Sequence, residues 1–265
     1  MIRDCVIIKE IAQGGQKRVF LANHPEYGNV VIKKGNITSF TSLERIKREV
    51  ELLSELNSSF FPNQYHFNID FKTKEFEIIE DYIEGTVLRD DMQSHRDLKS
   101  IFILLQSIIN GLSTIWDRNV VHRDLKPENI IIRTNGEPCI IDFGIARFLD
   151  LESLTKTISP FGPCTPIYAS PEQLRNNKNI IDPRTDFFSL GILALELLMG
   201  VHPFSPECGG NEYSIVENIL QNNYRIPAEL QCEQINDLAN KTLQTQPYQR
   251  FRSYNHFNDF ILKYL

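Results

Sequence analysis

Within Val121-His122-Arg123-Asp124-Leu125-Lys126-Pro127-Glu128-Asn129 the chain sets a carboxylate, an ammonium and an amide at close spacing. Asp124 can accept a proton, Lys126 can hold an anionic oxygen, and Asn129 can lend a carbonyl oxygen to a hard cation. Together these suit metal-assisted phosphoryl transfer. Pro127 removes a backbone donor and biases Lys126 away from helical angles, so the stretch reads as a polar loop between an apolar helix and the strand Ile130-Ile131-Ile132. On these residues alone, a solvated helix-to-strand turn is the alternative. A second carboxylate, Asp142, opens Asp142-Phe143-Gly144 behind another apolar strand.

The elements that must position these groups follow from periodicity. Val6 to Ile11, Val19 to Ala22 and Val30 to Ile32 read as antiparallel strands, and Tyr65 to Ile69 and Phe76 to Tyr82 as two more around the turn Lys72-Thr73-Lys74. Thr41-Ser42-Leu43-Glu44 has the form of a capping box. It heads an amphipathic helix with its stripe on Leu43, Ile46, Val50, Leu53 and Leu56. Glu49 lies on the flank of that stripe, where a carboxylate is costly unless it finds a cation or snorkels to water. Leu98, Ile101, Leu105, Ile108, Leu112 and Ile115 step by three and four and predict a buried helix leading into the polar loop. Ile130 to Arg133 and Cys139 to Ile141 form a hairpin around Asn135-Gly136. Further helical patterns occur at Phe187 to Met199, Ser214 to Gln221, Gln234 to Leu243 and Phe257 to Leu265.

The loop from Val121 to Asn129 resembles, position for position, the catalytic loop of eukaryotic-like serine/threonine protein kinases, and further motifs of that family appear in its order. Val30-Val31-Ile32-Lys33 is similar to the strand bearing the phosphate-anchoring lysine, with Glu49 as that lysine's helix partner. Thr165-Pro166-Ile167-Tyr168-Ala169-Ser170-Pro171-Glu172 is similar to the substrate-docking segment, and Asp186 and Arg250 match two structural anchors. The resemblance implies an α+β, two-lobed protein-kinase-like fold spanning residues 1–265 as one catalytic domain. Its N-lobe, to about residue 82, is a small antiparallel sheet with one main helix. A hinge runs over about 81–86, and a larger, mostly α-helical C-lobe over about 87–265, with ATP in the cleft.

It further implies that Asp124 orients and deprotonates the substrate hydroxyl, that Lys126 neutralises the moving phosphoryl group, and that Thr165 bonds both. Asn129 and Asp142 would hold Mg²⁺, or Mn²⁺ in its place, and Lys33, paired with Glu49, would hold the α- and β-phosphates. Nucleotide contacts fall on Ala12, Gly14, Val19, Val31, Lys33, the backbone of Asp81 and Ile83, and Ile131. Glu172 and Arg250 would form a buried ion pair. Lysine two positions after the catalytic aspartate implies serine/threonine substrates. Ser153, Thr155, Thr157 and Ser159 lie in a segment like an activation loop, open to autophosphorylation, with Arg123 as a phosphate partner.

The chain departs from the family at Ala12 and Lys17, which replace lid glycines, at Glu80 in the gatekeeper position, at Val87 in place of a ribose-binding acid, and at Cys164 in place of a glycine before Thr165. Those departures leave room for a pseudokinase, a nucleotide-binding scaffold. A small-molecule phosphotransferase shares the base-and-metal logic but normally lacks the docking segment and the Lys126 position.

Composition sets outer bounds. At 265 residues, 42% hydrophobic and 23% charged, the chain can bury one large core or two lobes. A net charge of -6 argues against nucleic acid or an anionic membrane as partner. Five scattered cysteines without a Cys-x-x-Cys pair suggest reduced thiols and a cytoplasmic location. The N-terminus has no signal-peptide pattern. Gln106, Asn110 and Glu196 interrupt the most apolar helices, which are read as buried rather than spanning.

Overall fold

A computed structural model describes residues 4–13, 17–56, 58–143, 146–148, 164–209 and 214–265. The chain divides into two compact units, Met1–Gly85 and Thr86–Leu265, and the break falls inside the segment expected to be a hinge.

The first unit contains β1 (Val6–Gln13), β2 (Lys17–His24), β3 (Gly28–Asn36), α1 (Phe40–Glu55), β4 (Gln64–Asp70) and β5 (Glu75–Asp81). The strands form one antiparallel sheet in the order β1-β2-β3-β5-β4. Alternation sorts its side chains into two faces. Ala22, Val30, Ile32 and Ile79 cluster on one, while Phe76 and Ile78 pack with Ile46 of α1 on the other. Lys33 stands opposite Ile78 in the β3–β5 register and so shares the α1 face. The expected turn after β4 forms: Asp70 Oδ1 accepts from Lys72 N at 2.8 Å, and Lys74 takes a left-handed φ of 58°.

The capping box expected at Thr41 does not start α1. Ser39 is the N-cap instead, in extended backbone, with its side chain accepting from Ser42 N at 3.0 Å. Thr41 then falls inside the first turn: the helix starts two residues earlier, so Leu43 N, one of the donors a Thr41 cap could serve, bonds the Ser39 carbonyl in the helix ladder instead. Glu49 lies on the buried side of the helix with Ile46, Leu52 and Leu53.

β6 (Gly85–Val87) begins at the break, and the second unit continues with α2 (Leu98–Trp116), β7 (Val120–Val121), β8 (Ile130–Arg133), β9 (Pro138–Ile140), β10 (Arg147–Phe148), α3 (Pro171–Leu174), α4 (Arg184–Met199), α5 (Pro206–Gly209), α6 (Ile215–Gln221), α7 (Glu233–Thr242) and α8 (Tyr254–Leu262). β6, β8 and β9 form a three-stranded sheet, and β10 pairs with β7. Asp97 caps α2 by accepting from Ser100 N at 2.9 Å, and the whole expected stripe from Ile101 to Ile115 is buried. By length and mean hydropathy α2 does reach what a membrane crossing requires, contrary to the reading from composition. Its buried face and the edge-on contact of Trp116 with Phe187, 5.2 Å between ring centroids, make it a core helix of this unit.

α4 is buried on nearly every side, from Thr185 to Leu197. Gly191 permits its approach to α7, since a Cβ there would sit 2.2 Å from Thr242 Oγ1 and 2.6 Å from Thr242 Cβ. Gly191→Ala is therefore expected to destabilise the protein by about 1–3 kcal/mol. A melting temperature equal to wild type would show that the α4–α7 interface is looser than described.

Candidate active site

The polar loop is held from both sides by buried side chains. Asp186, at the start of α4, accepts from Trp116 Nε1 at 2.8 Å, His122 N at 2.9 Å and Arg123 N at 2.8 Å. Gln173 of α3 donates to the Arg123 carbonyl at 2.8 Å. These bonds hold Arg123 at a φ of 71°, a left-handed conformation that a non-glycine residue adopts only when its surroundings impose it. His122 is buried against Phe143, 4.7 Å between ring centroids, and burial lowers its pKa. The fold thus forces a sharp change of direction just before Asp124.

Asp124 is the hub. Its Oδ1 accepts from Thr165 Oγ1 at 2.6 Å and Thr165 N at 3.2 Å, and its Oδ2 accepts from Asn129 Nδ2 at 3.0 Å. Lys126 Nζ lies 3.0 Å from the same Oδ2 and donates to Thr165 Oγ1 at 2.6 Å. A carboxylate offers about four acceptor sites, and four donors occupy them here. An incoming hydroxyl must displace one. The longest, Thr165 N, and Lys126, which gains an alternative partner in a phosphoryl oxygen, are the ones most easily exchanged. The expected bonding of Thr165 to both Asp124 and Lys126 is present.

Asn129 Nδ2 also donates to the Asp124 carbonyl at 2.8 Å, which commits both amide hydrogens and directs ligand chemistry to Oδ1. The Asn129 carbonyl accepts from Ile141 N at 2.9 Å, tying the loop to the residue before Asp142. Asp142 is half-buried with φ 67°. An amide oxygen and a carboxylate are hard donors, and they fit a divalent cation of the Mg²⁺ class that completes its shell with water and phosphate.

In the first unit Lys33 is buried, as is Glu49, but the ion pair at Lys33 is with Glu80, Nζ to Oε1 at 2.6 Å. The expected Lys33–Glu49 pair is therefore replaced. Glu80 stands opposite Val31, and Lys33 opposite Ile78, which makes Lys33 and Glu80 diagonal neighbours on one sheet face. Ala12 and Val19 face each other across β1 and β2, Ala12 exposed and Val19 half-buried. Val31 and Ile83 are buried, and Ile131, in the second unit, is half-buried. Asp81 N donates to the Asn63 carbonyl at 2.9 Å, and the Asp81 carboxylate accepts from Asn63 Nδ2 at 2.8 Å and from Tyr65 Oη. Gly14 and the expected phosphorylation sites Ser153, Thr155, Thr157 and Ser159 lie outside the described residues.

Residues 5–259 match the protein kinase domain. The chain belongs to the protein kinase family. It is similar to a probable serine/threonine-protein kinase PknB of Lactococcus lactis, 28% identical over 75% of this chain and 32% of the relative. A probable serine/threonine-protein kinase pknA2 of Bifidobacterium longum is 30% identical over 76% of this chain and 27% of the relative. The Aurora kinase of Saccharomyces cerevisiae is 28% identical over 92% of this chain and 65% of the relative. This kinase domain thus spans between about a quarter and two thirds of the length of these relatives.

Two features of the kinase domain are not visible as site residues in its sequence. Arg89 donates to Glu128 Oε1 at 2.7 Å, to Glu196 Oε1 at 2.9 Å and to the Tyr168 hydroxyl, joining the catalytic loop, α4 and the docking segment. Its partners are dispersed along the chain, so no local spacing announces it. Gln173 does carry a signal, since Ser170 to Gln173 has capping-box spacing; the same side chain then reaches the Arg123 carbonyl.

Proposed function

We propose that this chain transfers the γ-phosphoryl group of ATP to serine or threonine hydroxyls of proteins. The observation that carries this reading is the Asp124 carboxylate bonded at once to Thr165, Asn129 and Lys126. Asp124 receives the substrate hydroxyl, orients it and takes its proton as the oxygen attacks. Lys126 passes from Asp124 and Thr165 to the transferring phosphoryl oxygens, where its charge counts most in the transition state. Thr165 keeps the carboxylate aligned during that exchange. Lys33 holds the α- and β-phosphates, and Asp81 and Ile83 present backbone groups to the base. Mg²⁺ bound through Asn129 and Asp142 would neutralise phosphate charge.

Serine/threonine preference is supported by the position of Lys126 and by the names of the related kinases. Radiolabelled ATP with a mixed protein pool, followed by phosphoamino-acid analysis, is expected to give phosphoserine and phosphothreonine. Predominant phosphotyrosine would overturn the specificity, and no transfer at all would favour the nucleotide-binding scaffold, a reading that draws on Ala12, Lys17, Glu80 and Val87. We assign the chain to the cytoplasm, in keeping with five scattered cysteines that form no Cys-x-x-Cys pair in the sequence.

A further inference from the structure

We propose that Glu80 is the positioning residue for Lys33, so that the phosphate-anchoring lysine is held by the sheet rather than by α1; the inference rests on the kinase reading above. The β3–β5 ladder runs from Val30 opposite Asp81 to Asn36 opposite Glu75, with no register shift. Lys33 and Glu80 are diagonal across it, at a separation that long side chains span. Their 2.6 Å contact is made with side chains only 7% and 4% exposed. A short, charge-assisted bond out of water is among the stronger polar contacts a protein makes, and removing either partner leaves an uncompensated buried charge.

The backbone supports of the two candidate carboxylates differ. Glu80 is on a strand hydrogen-bonded to the strand that carries Lys33, so the two cannot separate without breaking the ladder. Glu49 is on a helix seated on the sheet through Ile46 and its apolar neighbours, and packed helices can slide where paired strands cannot. Glu80 therefore gives Lys33 a position that does not depend on where α1 sits. An ammonium has three donors. With one on Glu80, two remain for phosphate oxygens, and the carboxylate on β5 sets their direction. Among the described residues, Glu80 Oε2 is buried without a hydrogen bond, so the compensation seen for this carboxylate runs through Oε1 and Lys33. Such a group should be poorly tolerated without the lysine.

The first arm of the test needs no activity. Denaturant unfolding of nucleotide-free protein is measured for Lys33→Met, Glu80→Gln, Glu49→Gln and the doubles Lys33→Met/Glu80→Gln and Lys33→Met/Glu49→Gln. The Lys33–Glu80 cycle is expected to show at least tenfold coupling in the unfolding constant, and more than the Lys33–Glu49 cycle. The second arm measures turnover: Glu80→Gln should raise the KM for ATP at least tenfold more than Glu49→Gln does, with partial rescue by Glu80→Asp. Larger coupling to Glu49, or a larger KM effect from Glu49→Gln, overturns the assignment. If Glu80→Gln alone fails to fold, Lys33→Met and Lys33→Met/Glu80→Gln decide it: removing the stranded Glu80 charge from the Lys33→Met protein should restore stability, and a further loss of stability overturns the assignment. Wild-type protein without any phosphoryl transfer would count against the kinase reading, while the unfolding arm would still decide the partner of Lys33.

Discussion

Asp124→Asn protein is expected to lose roughly 10²–10⁴-fold in phosphoryl transfer, the range typical of a positioned general base. The substitution keeps shape but removes the charge that Lys126 and Asn129 address at Oδ2 and Thr165 at Oδ1. An amide can accept on one side only. Its NH₂ group must then face either the Thr165 donors or the Lys126 and Asn129 donors, so one half of the hub is left with donors opposed. The hydroxyl loses both its proton acceptor and its alignment, whereas nucleotide affinity should change little, because Asp124 is assigned to the hydroxyl rather than to the nucleotide. Steady-state turnover together with equilibrium ATP binding separates the two. Near-wild-type turnover would remove Asp124 from the base role, and lost ATP binding would show that the substitution acts through the fold instead.

Arg250→Met should be among the most destabilising single changes in the second unit. Arg250 and Glu172 have fully buried side chains, joined at 2.7 and 2.8 Å through two parallel bonds. The same guanidinium donates to the Arg184 carbonyl at 2.8 Å and the Gln244 carbonyl at 2.9 Å, and Thr185 Oγ1 donates to Glu172 at 2.9 Å. Methionine replaces much of the volume but none of these donors. Glu172 then stays buried with Thr185 as its remaining described partner, and breaking such a pair costs about 3–5 kcal/mol. For a protein of this size that corresponds to a melting temperature lower by roughly 6–20 °C. The double variant Glu172→Gln/Arg250→Met should recover part of the loss, since the stranded charge is gone. A single variant within about 2 °C of wild type would mean that the pair contributes little beyond packing.

Much of this protein is written locally. Pro127 and the change from helical to strand periodicity mark the loop, and β-branched runs mark the sheet. The three-and-four spacing from Ile101 to Ile115 marks α2 along its buried face. These features are legible because each depends on backbone preference and on which side of an element meets water. The capping box at Thr41 misled for the same reason, since a local motif was preempted by Ser39 two residues earlier. α2 is apolar enough to cross a membrane by composition alone, and its reading as a buried helix holds because other elements of the unit cover it.

Residue type and spacing already show which groups are available for chemistry, Asp124, Lys126, Asn129, Asp142, Thr165 and Lys33, because they settle acidity, charge and donor capacity. The bonds of Thr165 to Asp124 and Lys126 followed from the family resemblance, while the other partners came from packing. Strand register made Glu80 the diagonal neighbour of Lys33, and the meeting of α3, α4 and the catalytic loop put Gln173, Asp186 and Arg123 together. One cause underlies both. An ion pair or hydrogen bond depends on ångström-scale separation, and for residues far apart in the chain that separation is set by how the elements pack.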